Sequence, residues 1–209
     1  MKIIKINKCK IFYIKTNSLV YCTKASKYSD YTQFNSDKLH PHAFKDRGVF
    51  KEHPEGLIRL NNKNWDQIGI RFTELPEYKS INDHYTGKLN WKKSDFALRM
   101  SDYVERIKVV RGFSNPKKLL ADREKKIDML FESISKNGVK PLGSLNNIKK
   151  FNDNISINLG ARSKIYFNNR GHHRLSVVKI LKIKFIPVKI TVSKNTKVLK
   201  KFIIDSEKN

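Results

Sequence analysis

The stretch ISINLGARSKIYFNNRGHHRLSVVKILKIKFIPVKITV, residues 155–192, decides the fold. Ile155, Ile157 and Leu159 alternate with polar residues, and Ile165, Tyr166 and Phe167 form a second short apolar run. Two such runs, separated by Gly160 and a turn around Ala161 to Lys164, predict a β-hairpin. The chain then turns sharply at Arg170-Gly171, enters a helix at about His173, carries it to Ile183, and finishes in the strand 185–192.

Upstream, a helix is expected from about Asp122, with Ile127, Leu130, Phe131 and Ile134 on one face and Asn137-Gly138 as its stop. Asn115-Pro116 predicts a separate short helix through Leu120, since asparagine caps and proline suits the first helical position. Over 94–110, Phe96, Met100, Tyr103, Val104 and Ile107 fall at helical spacing behind Ser94, with Gly112 as terminator. Residues 1–22 alternate as one or two strands, a hairpin among the options, and Thr23 to about Asn64 reads as a long irregular connection. The order helix, strand, strand, tight turn, helix, strand predicts an α/β (α+β) fold. Residues 1–121 are expected to be an extension of strands, loop and helices packed on a domain at 122–193, with a frayed or helical basic tail at 194–209.

At 209 residues with 12 Phe, 8 Tyr and 2 Trp, the chain has the apolar material for a core. Its net charge is +25, and residues 140–209 hold 16 Lys and Arg against 3 Asp and Glu. Such a pole attracts polyanions, so nucleic acid or a phosphorylated ligand is the expected partner. A lysine-rich composition is the competing cause, but it would raise glutamate too, and Asp and Glu number only 19. Cys9 and Cys22 lack the spacing of a disulfide scaffold or a zinc site. No unbroken apolar stretch suggests a signal peptide or a transmembrane segment, so a cytoplasmic protein is expected. His40, His42 and His53 have no cysteine or acidic ligand nearby and read as surface histidines, so no metal site is expected. Trp65, beside Asp66, and Trp91 read as packing anchors, with a lid over the turn or a surface that stacks a base as the other options.

The chemistry concentrates in Asn168-Asn169-Arg170-Gly171-His172-His173-Arg174. A turn that passes directly into a helix gathers backbone N–H groups at the positive end of the helix dipole, where anions bind. Arginine can grip two phosphate oxygens, and histidine can donate to one or move a proton. Asn168, Arg170, Gly171, His172, His173 and Arg174 are therefore the candidate phosphate-binding residues, with His172 and His173 as candidate catalytic groups. In the competing structural reading, Gly171 only makes the turn and the histidines only cap the helix or satisfy buried carbonyls.

NNRGHHRLSVVKILKIKFIPVKI, preceded by IDMLFESISKNGVKPL, resembles the ParB N-terminal fold shared by CTP-binding partition proteins, sulfiredoxins and ADP-dependent free serine kinases. The resemblance covers about 70 residues, and its nearest form is an NxRGHHRLSVAK ending of no established activity. It implies a ParB/sulfiredoxin-like domain in which Gly171 and Arg174 are the glycine and arginine of the phosphate-gripping turn, with His173 as its second basic residue. A nucleotide (ATP, ADP or CTP) and Mg²⁺ are the implied cofactors. Sulfiredoxins carry their catalytic cysteine directly after this glycine, where His172 stands here, so sulfinic-acid reduction is not expected. Partition proteins need a further nucleotide motif and a helix-turn-helix domain, for which the seventeen residues after Val192 leave no room. The serine kinases use an acidic base near the turn. Asp128 and Glu132 are the candidates, against a solvated helix surface.

Three functions remain open. One is a phosphate- or nucleotide-binding ParB-like protein acting on or near nucleic acid, DNA-binding or nuclease-like. The others are a small-molecule phosphotransferase resembling the free serine kinases, and a structural or assembly protein that keeps the fold without catalysis.

Overall fold

The computed structural model describes residues 3–5, 10–22, 57–60, 66, 71–110, 112–143, 150–151, 153–168 and 170–207. Among these are seven strands of one sheet: β1 (Ile3–Lys5), β2 (Phe12–Lys15), β3 (Tyr21–Cys22), β4 (Leu57–Leu60), β5 (Ile155–Leu159), β6 (Ile165–Phe167) and β7 (Phe185–Ser193). Five helices accompany them: α1 (Pro76–Tyr85), α2 (Asp95–Ile107), α3 (Pro116–Asn137), α4 (His172–Ile180) and α5 (Thr196–Glu207). The α/β class expected from the sequence is the class observed.

The sheet is organised around β7, at nine residues the longest described strand. β5 runs parallel along one edge, from Ile155 opposite Val188 to Leu159 opposite Ser193. The other edge is shared: β2 pairs antiparallel with Phe185–Val188, and β4 pairs parallel at Val192 and Ser193. Pro187, which has no N–H to give a ladder, falls just before the β5 pairing begins. β6 returns antiparallel to β5 as the expected hairpin, and β3 lies parallel to β6.

Alternation gives the sheet two unlike faces. Phe12 and Ile14 of β2, Ile155, Ile157 and Leu159 of β5, and Ile186, Val188 and Ile190 of β7 enter one core. Into the same core go Ile134 of α3, Leu175, Val177 and Val178 of α4, and Val198, Leu199 and Phe202 of α5. Helices therefore cover that face. The opposite face carries Ser156, Asn158 and Lys189, all buried, and Tyr166, which packs with Val192 and Tyr21.

Several sequence-based expectations are corrected here. The short helix through Leu120 and the helix from Asp122 are one continuous helix, α3. Nothing at Ala121 interrupts it, and Leu120, Ile127 and Ile134 form one buried stripe at seven-residue spacing. Residue 122 is thus no element boundary. α2 ends at Lys108, whose φ of 69° closes it, while Gly112 belongs to the turn between Val110 and Phe113. Strands β1 and β2 pair with β4 and β7 and not with each other, and β4 lies inside the span expected to be irregular. The basic tail takes the helical of its two expected forms: residues 196–207 form α5, whose Phe202 ring meets Phe12 edge-on at 5.5 Å. Most of residues 23–64, including His40, His42 and His53, and also Cys9 and Trp65, lie outside the described residues.

Asp66 ties the far end of the hairpin down. Its carboxylate accepts from the Ala161 N–H at 2.6 Å and from Lys194 Nζ at 2.8 Å, and its carbonyl accepts from the Tyr166 hydroxyl at 2.7 Å. Burial alone would raise its pKa; the hydrogen bonds from Lys194 and Ala161 outweigh that and hold the carboxyl below the usual range. A lowered folded-state pKa contributes stability that is complete above the unfolded value of about 4 and is lost as pH falls through the folded value. Urea midpoints of the wild type and Asp66→Asn, measured between neutral pH and about pH 3, should therefore differ most at neutral pH and converge in acid.

Candidate functional site

The turn between β6 and α4 is built on the first two residues of β5. Gly171 has φ 78°, ψ 24°, and a Cβ there would stand 2.8 Å from the Ile155 Cα and 2.9 Å from its N. Only glycine serves both the left-handed conformation and the close approach. Ser156 then laces the turn from the strand. Its hydroxyl donates to the Asn168 carbonyl and accepts from the Arg170 N–H at 3.2 Å. Its backbone N–H donates to the Arg170 carbonyl at 3.2 Å, and its carbonyl accepts from the Asn168 N–H at 2.8 Å.

From this base α4 begins with the Leu175 N–H donating to the Gly171 carbonyl at 2.8 Å. No side chain caps the helix start and its first turn holds no acidic residue. The positive end of the dipole is therefore not neutralised from within the helix. Arg174 sits in this first turn, only 9% exposed. Its Nη2 donates to the Lys140 carbonyl in the loop after α3, while its buried Nη1 has no hydrogen-bond partner. Burial lowers its pKa and Asp153 pulls it back up, so the guanidinium stays charged. A buried charged donor left unsatisfied costs on the order of 1–3 kcal/mol or more, a cost that an oxyanion would remove.

The other candidate residues are distributed around this group. Arg170, partly exposed, stands 3.7 Å from the Asp153 carboxylate. The His172 and His173 rings lie 4.3 Å apart at 65°, and His173 also meets the Phe96 ring edge-on at 6.0 Å. His173 is thus placed against α2 as well as beside the turn. Asn168, just after β6, is buried, and its Nδ2 has no hydrogen-bond partner. The structure brings Arg170, Gly171, His172, His173 and Arg174 to one end of α4, and Ser156 ties the Asn168 carbonyl to the same turn.

The acidic candidates are engaged elsewhere. Asp128 accepts from the Tyr85 hydroxyl at 2.6 Å and lies 3.5 Å from His84 Nε2. Burial first, then the bond to Asp128, pushes the Tyr85 hydroxyl far up, so it stays a donor. Glu132 pairs with Lys136 one turn on, at an exposed position. Trp91 is a packing anchor, clustered with Ile81, Phe96 and Ile127. Cys22 is fully buried, and burial followed by the nearby Glu77 drives its thiol well above the ordinary value, away from nucleophilic use. Among the described residues no group of three His, Cys, Asp or Glu forms a metal site.

Sequence reasoning missed Ser156, Asp153 and the Lys140 carbonyl. The only available signal for Ser156 was its place in the alternation, which marks a face but not a bond. Asn154 was also missed: it joins the Lys140 loop to β5 by accepting from the Leu142 N–H and donating to the Leu142 carbonyl, both at 2.8 Å.

Gly171→Ala should destabilise the fold by at least about 1–2 kcal/mol, because it adds a left-handed penalty to a backbone clash. Ser156→Ala removes two buried hydrogen bonds and should cost about 1–3 kcal/mol. Urea unfolding of both variants checks this; wild-type stability in either would refute the account of the turn. Comparison with family models, with curated proteins and with solved structures finds no match for this chain.

Proposed function

We propose that the protein binds a phosphate group at the start of α4 and acts on or near nucleic acid. The observation that carries the reading is the buried Arg174 Nη1, unpartnered in the first turn of a helix whose N-terminus has neither side-chain cap nor acidic residue. Two physically independent features, a dipole end and a charge-bearing donor, favour an oxyanion there. Arg170, at the mouth of the turn, adds a second guanidinium, and His172 and His173 add imidazole groups able to donate to an oxyanion. This is the arrangement expected of a ParB-like turn that holds a nucleotide or backbone phosphate. The charge of the C-terminal third supplies long-range attraction for a polyanion and makes the association salt-dependent. In a nucleotide complex, Mg²⁺ would travel with the polyphosphate.

Asp153 favours a second reading. Beside Arg170 and electrostatically coupled to Arg174, it is a carboxylate within reach of a phosphoryl group held at the turn. In a phosphotransferase it would take the proton of a small hydroxyl acceptor while Arg170, His172, His173 and Arg174 steady the transferred group. Phosphoryl transfer from ATP or ADP that is lost in Asp153→Asn, with nucleotide affinity kept, would select this reading over simple binding.

Calorimetric titration of the full chain with inorganic phosphate, ADP, ATP and CTP, each with and without Mg²⁺, tests the site. Arg174→Met should weaken whichever anion binds about tenfold to a hundredfold, the range of one charge-assisted hydrogen bond. Arg170→Ala, at a partly exposed position, should weaken it less while leaving the circular dichroism unchanged. Binding that is unaffected by Arg174→Met, or absent for every anion at low salt, would leave the turn a purely structural device.

A further inference from the structure

The face of the sheet that carries Ser156 and Lys189 changes character along β7. Lys189, only 7% exposed, lies in its buried part beside Ser156. Toward the start of β7 the same face opens to solvent. Phe185 and Pro187 share the face of Lys189, because Ile186, Val188 and Ile190 point to the core. On β2, Tyr13 and Lys15 share it likewise, because Phe12 and Ile14 are core residues. Lys15 stands opposite Phe185 and Tyr13 opposite Pro187. Tyr13 is 58% exposed, Phe185 is 44% exposed, and Lys15 is exposed. Lys184 Nζ lies 5.5 Å from the centroid of the Phe185 ring.

We infer that Tyr13, Phe185, Lys15 and Lys184 form a stacking platform for a single-stranded nucleic acid. Two aromatic rings at diagonal positions on adjacent strands stand about 7–8 Å apart, close enough to act on successive bases. Every base offers a π-face to such rings whatever its identity, and only an unpaired strand can splay its bases onto them. The surrounding charge fits that partner. β2, β7 and the residues joining their shared end, 16–18 and 182–184, hold no Asp or Glu, and they supply Lys15, Lys182 and Lys184. The platform also lies at the same end of the sheet as the phosphate-binding turn. Ile155 stands opposite Val188, three residues or about 10 Å along β7 from Phe185, and Ser156 bonds the Arg170 carbonyl. The inference deepens the reading above by naming the class of nucleic acid, and rests on it only for the polyanionic partner.

Fluorescence anisotropy of the full chain with labelled oligo-dT, oligo-U and a duplex of equal length, at low and moderate salt, tests it. The single strands should bind more tightly than the duplex. Tyr13→Ala with Phe185→Ala should weaken them about tenfold or more without lowering the urea midpoint, since both rings are exposed. Tyr13→Phe with Phe185→Tyr should restore binding, and Lys15→Ala with Lys184→Ala should flatten the salt dependence. A preference for duplex, no single-strand binding at low salt, or wild-type affinity in the double alanine variant would overturn the platform. So would a wild-type dimer on gel filtration that the alanine pair dissociates while oligonucleotide affinity is kept, which would make the face a self-interface. The two readings fail separately. Loss of anion binding at Arg174 with the oligonucleotide results intact removes the turn and spares the platform, and the reverse pattern removes the platform alone.

Discussion

The approach of Gly171 to the backbone of Ile155 is the contact on which the rest of this end of the molecule depends. It lets the chain leave β6, pass the start of β5 and begin α4 with no intervening loop. Because α4 starts there, Leu175, Val177 and Val178 fall into the core over Ile155 and Ile157, while Arg174 falls into the first turn beneath the Lys140 loop. A side chain at 171 would push α4 off the sheet, and both the packing and the exposed helix end would go with it. Ser156 completes the device by supplying, from one residue, four hydrogen bonds that hold Asn168 and Arg170 in place.

The two faces of the sheet divide the work of the molecule. One is sealed by four helices and consists almost wholly of aliphatic and aromatic side chains. The other keeps a buried polar row, Ser156, Asn158 and Lys189, that gives way to exposed rings and lysines at the start of β7, before the β5 pairing begins and where β2 lies beside it. Burying Lys189 and Asn158 gains little by transfer from water, so their presence reflects something other than core stability. The site at the start of α4 and the open part of this face meet at one end of the sheet.

The local elements were largely legible along the chain. The hairpin of β5 and β6, the turn at Gly171, α4 and β7 follow from alternation, glycine placement and helical spacing, and the Ser94 and Asn115 caps sit where the residue types predict, each accepting from the first turn of its helix. The failures share a cause. The supposed break at residues 120–122 rested on two adjacent start signals, yet one uninterrupted apolar stripe outweighs the second signal and α3 runs straight through. The pairing of β2 with β7 joins residues 170 or more positions apart, which no local pattern encodes. At the site, the glycine and the basic residues were visible because their types are unusual in that order. Ser156 and Asp153 were not, since a serine in a strand and an aspartate in a loop are ordinary until the fold sets them beside Arg170.

What the sequence determined by itself is the chemistry on offer and the local geometry that carries it: a strand, a glycine turn, two histidines and an arginine at a helix start, and a strongly positive C-terminal third. Only the tertiary structure decided how those residues are used. It set His173 against Phe96, tied Asp128 to Tyr85, and left one nitrogen of Arg174 buried without a partner. The reason is physical. Hydrogen-bond satisfaction and burial depend on which distant segments a residue meets, and a linear pattern specifies a side chain's face but not its neighbours.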